Sequence, residues 1–221
     1  MKRRKTGATI IATGIRRKKR VSKGIFKSNQ KLILLTTLFV CGMLLGVLFV
    51  KHTSTETYSM LQNLVDTHFK ETEAQSVLMN FLTTLGIEGI YLLPAVLCGL
   101  CIVGEPILWL LPIGKGLGLG VVSASLYKIY TLQGLEYYAL FLLAPAVLST
   151  AALLFGCKES ILFSRDMNRS LFKKTDAGFG IGALKLYALR HIVLFVIMIF
   201  AAALSAVLMH LFHGSVSLFS A

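Results

Sequence analysis

Five long apolar runs, separated by short polar segments, limit what this chain can fold into. They span about residues 32–50, 87–103, 107–127, 137–156 and 191–212. Each run is close to the roughly 20 residues that a helix needs to cross a bilayer. The mean hydropathy of +0.73 is also too high for a soluble domain of 221 residues. No segment shows the alternation of apolar and polar residues that is typical of a barrel strand. The sequence therefore predicts an all-α, polytopic membrane helical bundle over residues 32–212.

Positive charge is concentrated at the start of the chain. Twelve Lys and Arg residues and no acidic residue precede Leu32, so residues 1–31 carry most of the net charge of +13. Cytoplasmic segments beside a span collect Lys and Arg, and residues 157–190 contain seven more. We therefore predict a cell-membrane protein with a cytoplasmic N-terminus, a basic cytoplasmic loop at 157–190 and a C-terminus outside. The tail reads as a disordered anchor that contacts anionic lipid, rather than as a nucleic-acid-binding segment.

The segment at 51–86, placed outside, has apolar residues at helical spacing. This pattern is typical of an amphipathic helix with one apolar stripe. Such a helix lies either on the outer leaflet or the top of the bundle, or it offers a docking face to a partner. Phe69 and Phe81 belong to the stripe and are the candidate docking residues.

The segment between the second and third spans holds residue types that lipid-facing helices usually exclude. Gly104 and Pro106 predict a tight helical hairpin, with a re-entrant element as the alternative. Pro112 is expected to bend the third span.

Glycines four residues apart predict close helix packing. Gly42 and Gly46 form such a pair in the first span, and Gly116 and Gly120 form one in the third, within a longer series that also includes Gly114 and Gly118. Spacing of this kind leaves a groove in which another helix can approach closely in lipid. The third span is therefore the predicted packing centre, and a homo-oligomer stays open.

Two ionisable residues, Glu105 and Lys115, fall in or near the bilayer. Intramembrane ionisable residues are functional candidates. Glu105 would lie at the inner turn and cap the helix that Pro106 begins. Lys115 lies about 15 Å further along that helix. Its side chain either snorkels inward or meets a partner on another helix, and the sequence does not decide between them.

The chain offers little for catalysis. It has no metalloprotease, nucleophile-elbow or phosphate-loop motif, and Cys98 and Cys101 have no second pair to complete a zinc site. His210 and His213 are three apart but lack a nearby third ligand. We therefore expect no enzyme, no cofactor and no metal.

The stretch at 104–120 resembles the signature of the stage II sporulation protein M family of endospore-forming bacteria. The matching residues are Gly104, Pro106, Lys115, Gly116 and Gly120, and the fourth span, centred on Pro145, also fits. The resemblance covers roughly residues 30–212. It implies a non-catalytic scaffold in the mother-cell membrane, which holds two peptidoglycan-cleaving partners, stage II sporulation proteins D and P, during engulfment.

A membrane subunit of a transporter or channel is the alternative. In that hypothesis the broken segment at 104–116 lines a path, as discontinuous helices do in transporters, and Glu105 and Lys115 contact the substrate. The first and fourth spans offer few polar side chains for such a path: Thr36, Thr37, Ser149 and Thr150.

Overall fold

The computed structural model has five long helices and, in the residues that it describes, no strand. Those residues are 30–54, 59–60, 62–63, 67, 76–101, 104–137, 142–172 and 181–212. The helices are α1 (Gln30–His52), α2 (Val77–Leu100), α3 (Glu105–Tyr137), α4 (Ala144–Phe172) and α5 (Ile181–Phe212). Each is long and apolar enough to cross a membrane. The predicted all-α membrane bundle with five spans is confirmed.

Helix α2 begins about ten residues before the span predicted from hydropathy. Ser76 caps its start, because its hydroxyl accepts a hydrogen bond from the backbone N–H of Met79 at 3.4 Å. Residues 77–86, assigned above to the outer segment, therefore form the first turns of α2. Phe81 lies in these turns and is half-buried, whereas Phe69 lies outside the described residues.

Helices α4 and α5 both extend into the region predicted as a cytoplasmic loop. Residues 157–172 continue α4, and residues 181–190 are the first turns of α5. The reason lies in the spacing of residues that α4 buries: Leu153, Cys157, Ser160, Ile161 and Ser164. They recur every three or four positions and form one face, while the charged residues that made the segment look like a loop lie at the positions between them.

Helix α4 is the centre of the bundle. Its membrane window is 56% buried, more than that of any other span, and it packs against α2, α3 and α5. The apolar core joins residues of α4 with Leu92 of α2, Leu108 of α3 and Met198 of α5. Leu35 of α1 also belongs to this core. All five helices thus contribute to a single interior.

Helix α3 crosses the membrane over Glu105–Ile129 and changes direction shortly afterwards. Within α3 only Thr131 has non-helical backbone angles, with φ 53° and ψ −128°. Pro112, which we expected to bend the helix, lies fully buried inside it, and the non-helical backbone angles occur later, at Thr131. A continuous helical segment therefore carries residues 105–120. A bend at Pro112 stays a prediction.

Candidate functional site

Helices α1 and α3 are in backbone contact through four glycines. Gly42 and Gly46 of α1 lie against α3, and Gly116 and Gly120 of α3 lie against α1. A Cβ atom added to any of the four would overlap a carbonyl oxygen of the opposite helix, namely that of Ile113, Leu117, Phe39 and Met43 respectively. Glycine at these positions is needed because of this close approach.

The contacts between α1 and α3 rise together in residue number, so the two helices run in the same direction. The second glycine pair of α3 does not take part. A Cβ at Gly114 would meet no atom within 4 Å, and one at Gly118 would meet only the Tyr91 hydroxyl, at 3.9 Å. Of the two overlapping pairs that the sequence shows, α1 therefore uses one.

Lys115 lies on the turn of α3 that also carries Gly116, and its side chain reaches away from water. Its Nζ donates to Glu88 of α2 and, at 3.0 Å, to the hydroxyl of Ser149 on α4. The ring of Tyr91 lies 5.4 Å from the same nitrogen. The Lys115 side chain is only 5% exposed, and that of Glu88 only 14%. Of the two alternatives left open above, the structure has the interhelical partner and not the snorkelling side chain.

At the start of α3, Glu105 makes a bidentate ion pair with Arg165 of α4. Nε of Arg165 donates to one carboxylate oxygen at 3.0 Å, and a terminal nitrogen donates to the other. Both side chains are partly exposed, as expected at the boundary with water. Glu105 does lie in the first turn of α3, and it also ties the turn between α2 and α3 to the central helix.

The turn between α2 and α3 is a tight hairpin. The backbone N–H of Cys101 donates to the Cys98 carbonyl at 3.2 Å, and that of Gly104 donates to the Cys101 carbonyl at 3.3 Å. A Cβ at Gly104 would overlap the Cys98 carbonyl. Gly104 is thus required by close packing within the turn, while Pro106 occupies the first turn of α3, where its missing N–H costs little.

A second buried polar cluster joins α2, α4 and α5. The Tyr187 hydroxyl donates to the Val96 carbonyl at 2.9 Å and lies 3.0 Å from the hydroxyl of Ser160. Ser160 also lies 3.1 Å from Nε2 of His191, whose Nδ1 is 3.0 Å from the Tyr187 carbonyl. Gly99 gives this cluster room, because a Cβ there would overlap the Tyr187 hydroxyl. All three side chains are engaged in holding helices together.

The Ser160 hydroxyl and the His191 ring lie within hydrogen-bond distance, as the two groups of a catalytic serine–histidine pair do. Their surroundings, however, are those of a packed interior. Ser160 is fully buried and is shared between Tyr187 and His191. Among the described residues, no group of three His, Cys, Asp or Glu side chains could hold a metal ion. The four cysteines, Cys41, Cys98, Cys101 and Cys157, are free thiols. The arrangement supports helix association rather than bond chemistry.

The structure brings together five of the residues that the sequence singled out. Gly42, Gly46, Gly116 and Gly120 meet at one interface, and Lys115 lies on the same turn of α3. Pro145 is buried near the start of α4. His210 is exposed, and His213 lies outside the described residues.

Sequence reasoning missed Glu88, Ser149 as a ligand of Lys115, and the Tyr187 cluster. The sequence does mark Glu88, because it is the one charged residue of α2 and lies in the middle of this helix.

Comparison with known proteins gives one match. The protein-family model described as stage II sporulation protein M matches residues 35–207, which is most of the chain. The comparisons with curated proteins and with solved structures each gave no match. The matched range includes both glycine pairs, the Glu88, Lys115 and Ser149 contacts and the cluster around Tyr187.

Proposed function

This chain belongs to the stage II sporulation protein M family, and we propose that it is a non-catalytic scaffold for peptidoglycan remodelling. Membership and the five apolar helices make it a multi-pass, sporulation-related membrane protein. In the proposed role it assembles or localises a peptidoglycan-degrading complex during engulfment. Its N-terminus would lie in the cytoplasm and its C-terminus outside, as the distribution of positive charge favours.

The observation that carries this proposal is that buried polar groups bond to neighbouring helices. Lys115 bonds to Glu88 and Ser149, and Tyr187 bonds to Ser160 and to a backbone carbonyl. Each of these contacts joins two different helices. A rigid bundle held by backbone contact and interhelical bonds suits a protein that positions others, because its outer surfaces then keep a fixed geometry.

The partners follow from the family resemblance. They would be two peptidoglycan-cleaving proteins, stage II sporulation proteins D and P, which act outside the membrane that the scaffold spans. The segment at 51–86 is the proposed docking region, with Phe69 and Phe81 as anchors, since aromatic residues dominate interface energies. The basic tail at 1–31 would contact anionic lipid on the inner side.

A membrane subunit of a transporter or channel is the second candidate, and one observation favours it. The Glu88, Lys115 and Ser149 contacts place polar groups of three helices about 15 Å into the membrane from the inner end of α3. Polar groups at such depth often mark a path for ions or substrates. Against a path, Lys115 is almost fully buried and meets an acidic side chain, so the site offers no unbalanced charge.

Deletion and complementation test the proposal. A strain that lacks this protein should arrest at engulfment, with a thick septal wall between mother cell and forespore. The chain carrying Gly114→Leu should restore engulfment because no packed atom lies within 4 Å of that position. Gly120→Leu should not restore it, since it separates α1 from α3. Normal engulfment in the deletion strain would contradict the scaffold role.

A further inference from the structure

The contact between Glu88 and Lys115 lies deep in the membrane and joins two helices that are consecutive in the chain. Lys115 is ten residues from the start of α3, and Glu88 is twelve residues from the end of α2. At 1.5 Å per residue, both are about 15–18 Å from the turn that connects the helices. The two residues therefore face each other across the hairpin at matching depth.

Two neighbouring helices complete the surroundings of the Lys115 amine. Helix α2 supplies the Glu88 carboxylate and the Tyr91 ring, and α4 supplies the Ser149 hydroxyl. Ser149 Oγ also lies 3.2 Å from the Ala146 carbonyl of its own helix. A carboxylate, a hydroxyl and an aromatic face are each favourable neighbours for an ammonium group. The amine is held by direct contacts in place of water.

Close packing of small residues does not hold α2 at this depth. A Cβ at Gly86 or Gly89, on either side of Glu88, would meet no atom within 4 Å. The same is true of Gly114, which precedes Lys115. This differs from the contact between α1 and α3, where a Cβ would overlap backbone. Beside these open glycines, the Glu88 side chain makes the polar contact that reaches α3.

We propose that Glu88 and Lys115 are an obligatory pair, through which α2 and α3 enter the membrane and pack as a single unit. Either residue alone would leave an uncompensated ionisable group buried within the bundle, away from water. Together they compensate each other, while the hydrogen bond from the Gly104 N–H to the Cys101 carbonyl keeps the adjoining helix ends close. This inference assigns a positioning role to Glu88 and does not depend on the scaffold function.

Exchange of the two charges tests the proposal. The first three variants are Glu88→Gln, Lys115→Met and the double variant with both changes. The other three are Glu88→Lys, Lys115→Glu and the exchange that combines these two. Asp166→Asn is the matched control, because it removes an exposed ion pair with Arg169, in which the N–O distance is 3.8 Å. Each protein is expressed as the full chain, and the folded amount is measured as the monodisperse fraction after mild detergent extraction.

Each single variant at the buried pair should fall to about a tenth of the wild-type amount or less, because it leaves one partner buried alone. The double variant should recover to within about threefold of wild type, since coupled residues are non-additive. The folded amount of the exchange variant should exceed that of Glu88→Lys alone and that of Lys115→Glu alone. The folded amount of Asp166→Asn should match that of wild type. Additive losses in the double variant, or single variants that match wild type, would overturn the proposal.

Discussion

At the scale of single residues, glycine and charge have separate tasks within one turn of α3. Gly116 gives α1 room to approach, and the neighbouring Lys115 turns to the other side and meets α2 and α4. Both features were visible in the sequence. What the sequence lacked was the partner, because Glu88 is 27 positions away from Lys115 and only the tertiary arrangement brings the two together.

The two glycine series of α3 give a prediction with a matched control. Gly116→Leu and Gly120→Leu should each destabilise the protein by about 1–3 kcal/mol or more, because the new side chain meets backbone that cannot move aside. Gly114→Leu should be nearly neutral, since the position is exposed and open. Thermal unfolding of the three purified variants in detergent measures the difference. Equal losses at all three positions would mean that the contact between α1 and α3 is not a tight one.

At the scale of elements, hydropathy found the five helices, and several of these helices extend beyond the predicted spans. Each of the five apolar runs coincides with one helix of the structure. The runs could be recognised because the thickness of the bilayer sets a minimum length for an apolar helix that spans it. The ends depend on what lies beside each helix. Helix α4 continues past the predicted span, and there Ser160 and Ser164 bond to Tyr187 and to the Cys101 carbonyl. Such partners cannot be deduced from local composition.

The alternating arrangement of the elements makes a topological prediction. Reporter domains fused after Ser54 and after Tyr137 should be outside, and one fused near Lys174 should be inside, because the Lys and Arg residues are concentrated on the predicted cytoplasmic side. Paired reporters active only outside or only inside the cell give the reading. An inside signal after Tyr137 would rule out five crossings with a cytoplasmic N-terminus.

At the scale of the whole molecule, ion pairs and a hydrogen bond tie four helices together at the end of the bundle that carries the turn between α2 and α3. Glu105 pairs with Arg165, Glu159 pairs with Arg190, and Ser164 donates to the Cys101 carbonyl at 2.8 Å. These contacts fix α2, α3, α4 and α5 relative to one another. A bundle fixed at one end can present its opposite face in a defined arrangement, which is what a scaffold for proteins outside the membrane requires.

The central claim is that this bundle holds peptidoglycan-degrading proteins through its outer segment. Affinity purification of the tagged full chain from sporulating cells, with quantitative mass spectrometry of what accompanies it, tests the claim most directly. The wild-type chain should copurify with peptidoglycan hydrolases. The chain with both Phe69→Asp and Phe81→Asp should retain at least tenfold less of them, because it lacks two aromatic anchors. A tenfold loss of affinity corresponds to about 1.4 kcal/mol of binding free energy. Met79→Asp, a change on an exposed residue of the same turns, should retain them. An ATPase or a solute-binding protein as the main companion, with no hydrolase, would contradict the scaffold and favour transport.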